Sequence, residues 1–232
     1  MFNYFKADLF RIVKERKLTI SIIILLLLSL LSAFLFHGES STEYTISLLQ
    51  LLSQFITLFF IVPSNIFLGE DFSYRTVNNI IIKQQQRKKI FFYKVFIALI
   101  FNILYVLLAY ISSGFFRTLL GDQCDFLTIF KIFLNQFSIF VCISLLCTTL
   151  FIALKKVPQA YLVYILIVLL FDNVSRLITT NILSLKLPTK YFLFSSLQSG
   201  EVITNSTITI SLIFSLIYFV LSYHIFNTKE LK

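Results

Sequence analysis

The sequence predicts an all-α protein that crosses a membrane six times. Six long apolar runs are separated by short polar segments. Hydrophobic residues make up 58% of the chain and charged residues only 13%. Lys and Arg are concentrated in alternate polar segments. A soluble domain of 232 residues could not cover that much apolar surface, whereas a bilayer accepts it directly.

A hydrocarbon core of roughly 30 Å and a rise of about 1.5 Å per residue call for about 20 apolar residues per span. The predicted spans are 18–36, 44–68, 91–116, 130–154, 158–171 and 207–226. The fifth is the shortest and runs into Asp172 and Arg176. Each is read as helix because strand-type alternation is missing and lipid offers backbone N–H and C=O groups no other partner. The whole chain, 1–232, forms one transmembrane domain. The first run follows five cations, as a secretory signal would. No small-x-small site ends it, so it is predicted to remain as a helix.

Ahead of that span, Phe2, Phe5, Leu9 and Ile12 recur at helical spacing, with Lys6, Arg11, Lys14 and Glu15 off the stripe. Residues 1–17 are therefore predicted to be an amphipathic helix lying in the membrane interface.

Orientation follows from the cations. The N-terminal segment, the connections after the second and fourth spans, and the C-terminal tail together carry fifteen of the 20 Lys and Arg residues. The remaining five are Arg117, Lys131, Arg176, Lys186 and Lys190. Both termini are thus predicted to be cytoplasmic, in a multi-pass protein of the plasma membrane. The net charge of +9 reflects this bias and contact with anionic lipid. A nucleic-acid partner is not expected, since the cations sit at helix ends rather than on a soluble face. Cys124, Cys142 and Cys147 show no metal-ligand spacing, and an odd number gives no disulfide framework.

The most informative polar segment is 69–90. Glu70 and Asp71 suit the start of a helix through the dipole. Val77, Ile80 and Ile81 then recur at helical spacing, and Arg87, Lys88 and Lys89 lead into the third span. A short helix with one apolar face, held at the cytoplasmic end of two spans, suits the grip of a soluble partner. The other reading is a solvated loop whose cations enforce topology.

Glu70, the pair Arg75-Thr76, the apolar turn at 80–82 and the basic run 87–89 resemble the corresponding region of the membrane subunits of type-2 ABC transporters (the ABC-2 permease family). The resemblance extends to the interfacial N-terminal helix, the six spans and the long outer segment, 172–206. In that family the outer segment forms short re-entrant helices. Pro188 and the apolar run at 191–194 suit the same behaviour here. Arg75 stands where the family often has Gly, and Gln85-Gln86-Arg87 replaces a common Pro-x-Ser-Arg element.

The resemblance implies a permease subunit rather than an enzyme. The chain has no Gly-x-x-x-x-Gly-Lys-Ser/Thr loop to cradle nucleotide phosphates. ATP and Mg would be held by two copies of a separate ATPase subunit. The segment 71–83 would be the coupling helix seated in that subunit, with Glu70 anchoring its start and Asp71, Tyr74, Arg75, Thr76, Val77, Ile80 and Ile81 in contact. A second permease chain, identical or paralogous, would complete the transporter. Permeases of this size resemble those that export lantibiotics, bacteriocins and other amphipathic cytolytic peptides, or give immunity to them.

Polar groups at lipid depth usually face protein or water. Ser47, Gln50, Gln54 and Thr57 fall on one face of the second span, with Ser53 beside them. They mark a substrate path, a seam between permeases, or helix–helix hydrogen bonding. Tyr161 and Tyr164 in the fifth span are further candidates. No acid or base is expected deep in a span, which argues against a proton relay and suits an amphipathic or apolar cargo.

Two other functions compete. Glu70-Asp71-x-x-x-Arg75 resembles the paired acids of CAAX-type membrane proteases. Those need intramembrane His partners to activate water, and only His37 and His224 are present. An immunity or sensor protein that binds a toxic peptide would share the six spans without needing a coupling helix.

Overall fold

The computed structural model describes residues 16–38, 41–73, 87–154, 156–181, 192–198 and 203–228, together with Asp8, Phe10 and Lys14. Every regular element among them is helical: α1 (Lys17–Leu35), α2 (Ser41–Phe59), α3 (Arg87–Leu119), α4 (Phe126–Ala153), α5 (Val157–Asn181), α6 (Leu193–Gln198) and α7 (Asn205–Thr228). Six stretches are long and apolar enough to cross a membrane: Lys17–Leu35, Leu51–Phe72, Arg87–Leu119, Phe126–Ala153, Val157–Asn181 and Asn205–Thr228. The chain is therefore a multi-pass helical membrane protein. The amphipathic stripe Phe2, Phe5, Leu9 and Ile12 lies outside the described residues.

Successive spans run antiparallel, and contacts at each end tie them together. At one end Lys17 on α1 meets Glu70 after α2, and Arg87 on α3 donates to the Asn227 carbonyl on α7 at 3.1 Å. At the other, His37 after α1 lies 2.8 Å from Asp122 after α3. There the Asp125 carboxylate caps α4 by accepting from the Leu127 N–H, while the Thr128 hydroxyl bonds to it and holds its pKa below the usual carboxylate range. The hydrogen bond from His37 lowers that of Asp122 in the same way.

Small hydroxylated residues let the helices approach. α1 turns Ser21, Leu25, Ser29, Ser32 and Ala33 inward, and Ser21 bonds to Tyr105 of α3. α7 buries Thr207, Ser211, Ser215, Ser222 and Phe226 on one stripe, and the Thr149 hydroxyl of α4 donates to the Tyr218 carbonyl of α7 at 3.1 Å. Between α3 and α4, Asn102 donates to Ser144 at 2.7 Å and Tyr110 to Gln136 at 2.5 Å. An aromatic cluster, with Phe91 at its centre and Phe219, Tyr223 and Phe226 around it, joins α3 to α7.

The second span is not one regular helix. α2 ends at Phe59; an α-turn (Ile61–Ser64), a π-helical turn (Asn65–Gly69) and a further α-turn (Glu70–Ser73) complete it. Pro63 is the cause. It has no N–H to donate to the turn before it, and its ring crowds that turn's carbonyl. The π-turn takes up the mismatch. Gly69 closes it where α4 comes nearest: an added Cβ would stand 2.5 Å from Asn65 Oδ1 and 2.9 Å from Phe151 Cδ1.

The fifth helix is longer than predicted. The sequence reading ends the span at 171, but α5 continues to Asn181. Val174, Leu177 and Ile178 carry its apolar outer face onward, and Asp172 turns inward to accept from the Ser195 N–H at 2.7 Å. Residues 172–181 thus belong to the helix, and Asp172 lies within it. The expectation that no acid or base lies deep in a span is corrected accordingly. Arg117, near the end of α3, is also buried, at 1% exposed.

Replacing Gly69 with Val should lower stability by about 1–3 kcal/mol through overpacking against Phe151. Thermal unfolding of the detergent-purified protein checks this, and an unchanged midpoint would contradict the packing described.

Candidate functional site

The polar centre of the molecule lies where the second span ends. The π-turn and the α-turn after it direct Glu70 and Asp71 into the bundle, where they are 5% and 2% exposed. Lys94, two turns into α3 and 3% exposed, is 2.7 Å from Asp71 and 2.8 Å from Asp8 of the N-terminal segment. Tyr93 donates its hydroxyl to the same Asp8 oxygen at 3.0 Å. Lys17, at the start of α1, pairs with Glu70, and Asn65 donates to Glu70 Oε1 at 3.1 Å. Three carboxylates and two ammonium groups from four parts of the chain are thus paired at the end of the second span, Lys94 with Asp71 and Asp8, and Lys17 with Glu70.

Each group reaches this point for a local reason. Lys17 opens α1 after Arg16, whose left-handed φ of 56° turns the chain into the helix. Asn65 and Glu70 sit at the two ends of the π-turn. Lys94 lies on the α3 stripe that also buries Phe91, Val95 and Ala98. Taking a single charge out of water costs several kcal/mol, and only close pairing with further hydrogen bonds offsets that. One lysine between two carboxylates provides it.

Of the residues the sequence marks for coupling, Glu70 and Asp71 fall in this cluster. They face inward onto Lys17 and Lys94 and hold the root of the segment that follows. Tyr74, Arg75, Thr76, Val77, Ile80 and Ile81 lie outside the described residues. Of the polar stripe, Ser53 and Thr57 are buried among the chain's own helices. The Ser53 hydroxyl donates to the Leu197 carbonyl of α6 at 3.2 Å, and the Tyr164 hydroxyl donates to the Thr57 carbonyl at 2.6 Å. Tyr161 packs edge-on against Phe151 and approaches the Asn65 side chain. Ser47, Gln50 and Gln54 lie on α2, and their side chains are outside the described set.

Sequence reasoning missed Asp8, Asn65, Tyr93 and Lys94 as members of a site. Lys17 and Lys94 read as topological cations because each stands at the edge of an apolar run. One signal was available: Lys94 interrupts an otherwise apolar helical face, flanked by Phe91 and Val95. Among the described residues no group of three His, Cys, Asp or Glu side chains could hold a metal ion. His37 sits at the far end of α1 from Lys17 and the Glu70 cluster. No protein-family model and no curated protein matches this chain.

Replacing Lys94 with Met should cost about 3–5 kcal/mol, the usual penalty for leaving a buried charge without its partner. Adding Asp8→Asn and Asp71→Asn should restore most of it. Equilibrium unfolding in detergent checks both; a triple variant no more stable than Lys94→Met would show that the lysine acts by packing alone.

Proposed function

We propose that this chain is the membrane-spanning permease subunit of an ATP-driven type-2 ABC exporter that moves an amphipathic peptide out of the cell. The observation that carries the reading is the pairing of Glu70 and Asp71 with Lys17 and Lys94. A coupling segment can pass force to a bundle only if its root is fixed to several helices. Here the root of the segment between the second and third spans is tied to α1, α3 and the N-terminal segment.

In this reading the segment 71–83 seats in an ATPase subunit, present in two copies, which binds ATP and Mg. A second permease chain completes the path, and ATP-driven closure of the ATPases tilts the spans through the Lys94 cluster. α6 supports the re-entrant assignment. Its Leu197 carbonyl accepts from Ser53, twelve residues or about 18 Å along α2 from Ser41. With Ser53 and Thr57 engaged inside the chain, Ser47, Gln50 and Gln54 are the members of the stripe assigned to the path or the permease seam.

A tagged chain extracted from its native membrane in mild detergent should bring down a stoichiometric ATPase subunit with ATP hydrolysis. Val77→Pro and Glu70→Ala should lose both partner and export while inserting normally. Purification of the wild-type chain alone would reject the exporter in favour of an immunity or sensor role.

Both termini are assigned to the cytoplasm. In a Cys124→Ser background, a membrane-impermeant maleimide should label a cysteine placed at Asp122 in intact cells, and one placed at Lys229 only after lysis. The reverse pattern would invert the topology.

A further inference from the structure

A cavity of about 290 Å³ lies between α4, α5, α6 and α7. Leu146 and Phe194 line its interior, Phe171 and Phe214 form its lips, and Asp172 and Tyr218 are its polar edge. The lips are exposed, at 56% for Phe171 and 39% for Phe214. Phe171 stands ten residues before the end of α5 and Phe214 nine residues after the start of α7. Both are therefore about 14 Å from the same end of the bundle. At that depth the medium at the mouth is hydrocarbon.

Water is a poor occupant, since a buried water needs two to four polar partners. Asp172 already accepts from the Ser195 N–H, and apart from Tyr218 and the Cys142 thiol the other walls are apolar. One turn beyond Asp172, towards the same end of the bundle, stands Arg176. Its guanidinium lies 5.5 Å from the centre of the Phe192 ring, just before α6. Among the described residues no carboxylate is within ion-pair distance of it. An apolar slot opening sideways into the bilayer, with a cation one turn nearer the surface, matches a molecule with a hydrocarbon chain and an anionic head.

We propose that the cavity binds an anionic membrane phospholipid, with one acyl chain entering between Phe171 and Phe214 and the phosphate against Arg176. This site does not depend on the export reading.

The chain contains no Trp, so single tryptophans report without background. Phe194→Trp places one inside the cavity, Phe171→Trp on its lip, and Phe140→Trp in the core away from it. The full-length variants are reconstituted in phosphatidylcholine vesicles containing a minor fraction of phosphatidylglycerol brominated on its acyl chains. Quenching at position 171 establishes insertion in every case. The expected result is quenching at position 194 several-fold above that at 140. Moving the bromines to phosphatidylcholine, or adding Arg176→Gln, should reduce it at least twofold. Quenching at 194 no greater than at 140 would overturn the site. Quenching at 194 that ignores both headgroup and Arg176→Gln would overturn the phosphate assignment and leave a non-selective hydrocarbon slot.

Discussion

Lys94 is the residue on which one end of the helix bundle depends. Its ammonium lies within ion-pair distance of two carboxylates that come from different parts of the chain, Asp8 and Asp71. A buried charge of this kind adds little stability over an apolar side chain of the same shape, but removing one partner leaves another stranded. The arrangement therefore specifies position. It makes the N-terminal segment, the end of the second span and the start of α3 a single unit. Lys17, reaching Glu70 from α1, adds a fourth part. Half of the Lys17 side chain faces solvent, so its contribution is screened and smaller.

The position of the acids in turn depends on an irregular backbone. A regular helix through 41–73 would rotate Glu70 and Asp71 by a fixed 100° per residue from Ser53 and Thr57. Pro63 breaks that relation, and the π-turn that follows resets the facing of everything beyond it. Gly69 gives α4 room to approach the reset turn, with Phe151 in the space a side chain would fill. Breaking the register costs hydrogen bonds within the helix. It gains two inward-facing acids at the junction with the segment 74–86.

Burial is uneven across the bundle. α4 is covered on most sides, whereas α5 buries one stripe, Ala160, Tyr164, Val168 and Asp172, and leaves Leu166, Leu169 and Leu170 outward. Between apolar helices in lipid there is no hydrophobic drive to associate, so packing and a few hydrogen bonds decide the arrangement. Among the bonds that hold α5 are those from Tyr164 to the Thr57 carbonyl and to Asp172 from the Ser195 N–H.

What the sequence determined by itself is the class of structure: helical, membrane-embedded and crossing six times. That conclusion needs only the length and polarity of each run, because bilayer thickness is fixed and backbone groups in lipid must be paired within the segment. Glu70 and Asp71 were also legible as notable acids at the end of a span. Their partners were not, because Asp8, Lys17 and Lys94 are distant along the chain and each has a sufficient local explanation as a cation or acid near an interface. The extent of α5 was hidden for a related reason. Asp172 and Arg176 read as an exit from the membrane until α6 supplies the N–H that satisfies the acid. The tertiary structure alone decided which charges meet, since proximity depends on helix rotation and on the break at Pro63, and neither is encoded in the polarity of a run.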